Sequence, residues 1–142
     1  MIRQILYLSD PCPDAGTPGE VLDGILAVSR RNNPALGITG ALTMTSGTYV
    51  QVLEGDPEVL DHVVAEIRDD HRHTGLDIVS DRMVELRAFS RFAMAFADPQ
   101  EAARDGVADL VRQLHDGAGP GPATALIRAM AHRAVEDATA SH

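Results

Sequence analysis

The sequence predicts an α+β domain, with two helices on one face of a mixed β-sheet and two further helices covering the other face. Three observations lead there. Apolar, β-branched runs alternate with stretches of helical periodicity in the order βαββαββ over residues 1–97. The two helical stretches among them open on a capping residue followed by proline. The strands are apolar at both parities and so need cover on both faces, which the amphipathic segments of residues 98–142 can provide.

Ile2 to Ser9 is an apolar run with the polar-tipped Tyr7 near its middle, and its length and branching favour a strand. Thr17-Pro18-Gly19-Glu20 supplies an N-cap, a first-turn proline and a glutamate placed for a capping box. Val21, Leu22, Ile25 and Leu26 give the helix that follows its apolar face, and Pro34 predicts its end near Asn32-Asn33, because the residue before a proline is pushed out of helical space. Gly37 to Met44 and Thr48 to Glu54 flank the turn signal Ser46-Gly47 and read as a hairpin. Asp56-Pro57-Glu58 starts a second helix with the stripe Val59, Leu60, Val63, Val64 and Ile67, which ends in the charged cluster Arg68 to His73. Leu76 to Val84 and Phe92 to Ala97 read as two more strands. Asp98-Pro99-Gln100-Glu101 caps a helix carrying Ala103, Val107, Leu110, Val111 and Leu114; Gly117 to Pro122 breaks it; Leu126, Met130 and Ala134 mark another. Packing two helices on one face of this sheet is the ferredoxin-like solution. The expected division is residues 1–97 as one domain and 98–142 as a helical extension.

Composition removes several function classes. Acidic residues outnumber basic ones 21 to 12, the net charge is −9, and no basic run exceeds Arg30-Arg31, which disfavours nucleic acid and anionic membranes as partners. All basic residues except histidine are arginines, so neither Schiff-base chemistry nor a Walker-type phosphate lysine is available. Cys12 is the one cysteine and can form no internal disulfide, in keeping with a reduced, cytoplasmic setting. The apolar N-terminal run is too short for a signal peptide or a membrane span. His71-Arg72-His73 lacks a third metal ligand at suitable spacing, Cys12 lacks a neighbour that would activate its thiol, and no nucleophile stands with a base, so an enzyme is not expected.

Gln51 is the residue that calls for explanation. It lies in YVQVLEG, pointing the same way as Tyr49 and Leu53 while Val50 and Val52 point the other, and both faces read as buried. An unpaired amide there costs roughly 1–3 kcal/mol, so it needs a partner within the protein or on a ligand. Asn32, Asn33, Arg72, His73 and Met94 are informative too, although a helix-ending asparagine, a solvated basic loop and a core methionine are their ordinary readings.

Taken together, Tyr7 in the first strand, NNPALGITGAL from Asn32, Gln51 in QVLEG, Arg72-His73 after the second helix, and Met94 in RFAMAF resemble the BLUF family, the sensors of blue light using FAD. The resemblance covers residues 2–97 and implies a non-covalently bound FAD, with FMN or riboflavin as substitutes, between the two helices and the sheet. It implies photoactive roles for Tyr7, Gln51 and Met94. It also implies cofactor contacts from Asn32, Asn33, Gln51, Arg72 and His73, with Arg72 toward the pyrimidine carbonyls. In this family light draws an electron and a proton from the tyrosine, and the glutamine amide then rotates or tautomerises and strengthens its hydrogen bond to the ring, giving a red shift. Asn32 stands where some members have histidine, Val52 and Phe92 where some have tryptophan; with no tryptophan in the chain, an output built on that side chain does not apply. The resemblance further implies a stand-alone, non-enzymatic receptor that signals to a partner protein. Its terminal helices are expected either to pack on their own sheet or to supply a homodimer surface. The alternatives are a light-insensitive flavin-binding module and an enzyme on a ferredoxin-like scaffold.

Overall fold

Residues 2–97 fold in the expected order, and the sheet gains a short final strand. The structure is a computed structural model that describes residues 1–12, 16–45, 47–70, 73–98, 106–117 and 120–135. Its elements are β1 (Ile2–Pro11), α1 (Pro18–Leu36), β2 (Thr39–Thr45), β3 (Thr48–Gly55), α2 (Pro57–Asp69), β4 (His73–Val84), β5 (Ala95–Ala97), α3 (Val107–His115), α4 (Pro120–Arg133) and β6 (Ala134–Val135). Strand order is β4-β1-β3-β2-β5-β6. β1 runs antiparallel to both β3 and β4, β2 and β3 form the hairpin, and β5 joins β2 in parallel. The order of the first four strands is that of the ferredoxin-like fold.

Two-residue alternation sorts the sheet into two cores. Ile5, Tyr7, Leu42, Tyr49 and Leu53 face α1 and α2, which contribute Leu22, Leu26, Leu60 and Val64. Leu6, Leu8, Ala41, Val50 and Val52 face the other way, against Val107, Val111 and Leu114 of α3 and Leu126, Ile127 and Met130 of α4. The C-terminal helices therefore pack on the second face of their own sheet. Both expected N-caps form: the Thr17 hydroxyl accepts from the Glu20 N–H at 3.2 Å while the Glu20 carboxylate accepts from the Thr17 N–H at 3.3 Å, and the Asp56 carboxylate accepts from the N–H groups of Glu58 and Val59.

Several boundaries differ from the sequence reading. α1 does not stop at Asn32-Asn33 but runs on to Leu36 with Pro34 inside its last turn. The proline removes one donor there, and Gly37, at φ 68°, closes the helix by donating to the carbonyls of Asn33 and Pro34. Gly37 is thus a helix cap and not the first strand residue. Gly40 belongs to the strand for a steric reason: a Cβ on it would stand 2.1 Å from the Val52 carbonyl oxygen. β5 is three residues long and starts after Met94, because the preceding carbonyls go to donors outside the ladder: Gly40 N–H to Phe92, the Asn33 side chain to Ala93 and the Arg30 side chain to Met94. Gly106, at φ 78°, interrupts the helix expected from Asp98 through Leu114, and residues 99–105 lie outside those described. α4 begins already at Pro120, since prolines are tolerated in a first turn whose N–H groups lack helical partners. Ala134 ends no helix; it opens β6, which pairs with Phe96 and Ala97 of β5.

Candidate functional site

The site lies between α1, α2 and the centre of the sheet, where the register sets Tyr7 of β1 directly opposite Gln51 of β3. Both are almost fully buried. Two adjoining cavities of about 140 and 80 Å³ share Val28, Ser29, Gln51, Ile67 and Asp70 in their walls. Asn32, Asn33, Leu53, Val63 and Glu66 line the larger, Tyr7 and Ile25 the smaller. Aliphatic side chains of α1, α2 and β3 share the walls with about as many polar ones, an arrangement suited to a flat aromatic ring with one polar edge. A third cavity, of about 330 Å³, opens near Arg87 and Phe92 and shares no lining residue with the other two.

The Gln51 amide nitrogen donates to the Met94 sulfur at 3.6 Å. A thioether is a weak acceptor, so a carbonyl or ring-nitrogen acceptor in the cavity would compete for that donor effectively. Met94 is buried and sits at the bend before β5, not within the strand. Asn33 is buried as well, and its side-chain nitrogen donates to the Ala93 carbonyl at 2.8 Å. Asn32, one residue earlier, is exposed at the wall of the larger cavity. The Tyr7 hydroxyl is held protonated, its pKa pushed far above the ordinary value first by burial and then by the negative charge of Asp70. The site thus places a neutral phenol directly across the strand pair from a buried amide.

Tyr7, Asn32, Asn33, Gln51 and Met94 therefore converge. Arg72 and the side chain of His73 lie outside the described residues. Ser29 and Asp70 were missed by sequence reasoning, although each lines both cavities. Ser29 stands four residues before Asn33, one helical turn, a spacing that could have drawn attention to it. Asp70 carried no such signal; inside an Asp-Asp-His-Arg-His run it reads as surface, whereas it caps α2. Among the described residues there is no cluster of three metal-ligating side chains, and no helix is long and apolar enough to cross a membrane.

The family of sensors of blue light using FAD matches residues 2–95 of this chain. The chain belongs to the BLUF family. Its members bind flavin and sense blue light. The dark-state structure of BlrB, a BLUF protein, is 27% identical and superposes with a TM-score of 0.79 over 92% of this chain and 96% of that one. BlrP1 of Klebsiella pneumoniae, in a structure with FMN and cyclic diGMP, is 32% identical with a TM-score of 0.62, covering 69% of this chain and 26% of that one. The photoactivated adenylate cyclase subunit beta of Euglena longa is 35% identical over 68 residues, which are 48% of this chain and 8% of that protein. The chain thus spans less than a tenth of the cyclase subunits it matches.

Proposed function

We propose that this chain is a blue-light receptor in which FAD, bound non-covalently between α1 and α2, is switched through Tyr7 and Gln51. The observation that carries the reading is the direct cross-strand pairing of these two buried side chains beside the two cavities they help to line. FMN or riboflavin are substitutes on the same site, and BlrP1 is a relative whose structure holds FMN. Asn32 and Asn33 stand at the polar wall of the larger cavity and are assigned to the cofactor's polar edge; the family resemblance adds Arg72 and His73.

When bound, the flavin supplies an oxidant on excitation. Tyr7 would be the donor of an electron and of its hydroxyl proton, and Gln51, across the strand pair, would relay that proton and could take up a second orientation or tautomer. Burial keeps water from offering Tyr7 and Gln51 competing hydrogen bonds, so the two arrangements remain discrete. Gln51 then changes its contact with Met94, whose chain continues into β5 and from there pairs with β6 at the end of α4. Residues 1–97 are read as the sensing unit and 98–142 as the output extension. The output is contact with a partner protein rather than catalysis.

A visible spectrum tests the reading. A yellow protein whose flavin band shifts reversibly to the red under blue light supports it, and Gln51→Leu should keep the flavin and lose the shift. An unresponsive yellow protein would make the chain a light-insensitive flavin-binding module; a colourless one that takes up no added flavin would leave the enzyme alternative.

A further inference from the structure

Three consecutive carbonyls leading into β5 are each taken by a different donor: Phe92 by the Gly40 N–H at 3.2 Å, Ala93 by the Asn33 side chain at 2.8 Å, and Met94 by the Arg30 Nε at 3.0 Å. Arg30 and Asn33 are three residues apart and lie on one side of α1. The sheet ladder does not help here, since the pairing of β5 with β2 begins at Ala95. Met94 is consequently held from two directions, its backbone by a charged donor on α1 and its sulfur by the Gln51 amide on β3. Hydrogen bonds from a guanidinium are about twice as strong as neutral ones, so the grip on the backbone is the firmer of the two.

Arg30 differs from its neighbours in one respect that makes it separable from cofactor binding. Val28, Ser29, Asn32 and Asn33 line the cavities, and Arg30 lines neither. Arg30 is thus placed to act on the switch through the Met94 backbone and not through the cavity walls.

We propose that Arg30 is a positioning residue of the switch, which holds the Met94 carbonyl against α1 and thereby sets how the Met94 sulfur meets the Gln51 amide. The proposal rests on the receptor reading given above. The Gln51–Met94 contact belongs to the arrangement described here, so loosening Met94 removes an acceptor from this arrangement and leaves the alternative orientation of Gln51 relatively favoured. Return from the light-induced state then slows.

The test uses the full chain with FAD and follows two quantities in Arg30→Ala and Arg30→Lys. The first is the methyl resonance of Met94 in the dark, assigned with Met94→Leu and compared with the methyl groups of Met83 and Met130, which lie on β4 and α4. The second is the thermal decay of the red-shifted state. Arg30→Ala should move the Met94 methyl resonance while leaving Met83 and Met130 in place, retain flavin, and slow decay at least fivefold; Arg30→Lys, which restores one charged donor, should fall between it and the parent. An unmoved Met94 resonance, or a decay within twofold of the parent despite a moved one, overturns the proposal. A general loss of packing would shift all three methyl groups and counts against it. If the parent protein shows no light-induced shift, the receptor reading has failed, and the positioning of Met94 by Arg30 is then decided by the methyl resonance alone.

Discussion

Gln51 and Glu54 are both polar, both buried, and three residues apart on β3, yet the two faces of the sheet treat them in opposite ways. Glu54 points away from α1 and α2, and four donors within the chain meet its carboxylate: the N–H groups of Ala88 at 2.7 Å and Phe89 at 2.9 Å, the Gln4 amide at 3.0 Å and the Thr39 hydroxyl at 3.1 Å. It ties the β4–β5 connection to three strands, and Phe89, which it anchors, is buried in the core beneath α3 and α4. Thr43, fully buried, is likewise met by the Ala97 carbonyl. Gln51 faces two cavities and a thioether. A buried polar residue that faces no cavity and has its bonding capacity filled within its own chain is structural. One that looks onto a cavity with only a weak acceptor marks the functional face.

The contrast can be broken most forcefully on the face without the site. Leu126 is fully buried against the strands there, and Leu126→Ala should cost about 2–5 kcal/mol in urea unfolding while the folded protein keeps its light-induced shift. A loss below about 1 kcal/mol would mean that α4 contributes little to the core. Next come the two residues on β3 themselves. Glu54→Gln sets an amide N–H against backbone donors and should lower stability by about 1–3 kcal/mol with the shift preserved. Gln51→Leu should leave stability nearly unchanged and remove the shift, since replacing an amide by an apolar side chain of similar size leaves no buried donor behind. Matching stability losses in the two variants would erase the distinction between the faces.

The two tyrosines sharpen the comparison through pH. Burial raises the pKa of both Tyr7 and Tyr49 above the ordinary value of 10.0. The folded protein therefore retains protons that the unfolded chain releases above that pH. Stability is fully present below about pH 10 and falls as pH rises, by up to roughly 1.4 kcal/mol per pH unit for each tyrosine that stays protonated. Phenolate absorbance should accordingly appear together with unfolding; a separate ionisation of either tyrosine in the intact fold would show that its hydroxyl is open to water. The smallest effect is expected at the edge strand. Arg3, hydrogen-bonded to Asp81, holds that carboxylate below its ordinary value of 3.8. Its stabilisation is present above about pH 4 and is lost as pH falls through the lowered pKa. Asp81 is partly exposed, so Asp81→Asn should change stability at neutral pH by less than about 1 kcal/mol and flatten the acid limb of the unfolding curve.

Much of this was legible in the sequence where local chemistry and global packing agree. Alternation along β3 assigned Gln51 to one face with Tyr49 and Leu53 and put Val50 and Val52 on the other, the family resemblance joined Tyr7 to Gln51, and Thr17 and Asp56 announced their helices. Legibility failed where a tertiary contact overrode a local rule. Pro34 reads as a helix stop, but the helix runs one turn past the usual break and is closed by the N–H groups of Gly37 and Ile38, which donate to the carbonyls of Asn33 and Pro34. The apolar run Phe92 to Ala97 reads as a strand over its whole length, yet the Gly40 N–H takes the Phe92 carbonyl and side chains from α1 take those of Ala93 and Met94, and β6 pairs along the edge that β5 leaves. Asp70 was hidden by its charged neighbours in sequence, and only the fold separates it from them by turning it toward Tyr7.

The shortness of β5 bounds what such a device can do as an instrument. Among the described residues, β1 and β3 meet over seven pairs, whereas β5 meets β2 over two and β6 over two. At about 0.5–1.5 kcal/mol for each net hydrogen bond, the β5–β6 edge is fastened by only a few kcal/mol. If Gln51 switches as proposed, a fastening that weak could be released by the modest energy a rearranged amide provides, which would make the detector sensitive. Under that reading the same weakness would also let thermal motion release the edge in darkness. Under the proposed receptor reading, sensitivity and background would be set together at the β5–β6 edge, where Ala134 and Val135 are the described β6 residues, and a firmer edge would make the receptor quieter and less responsive at once.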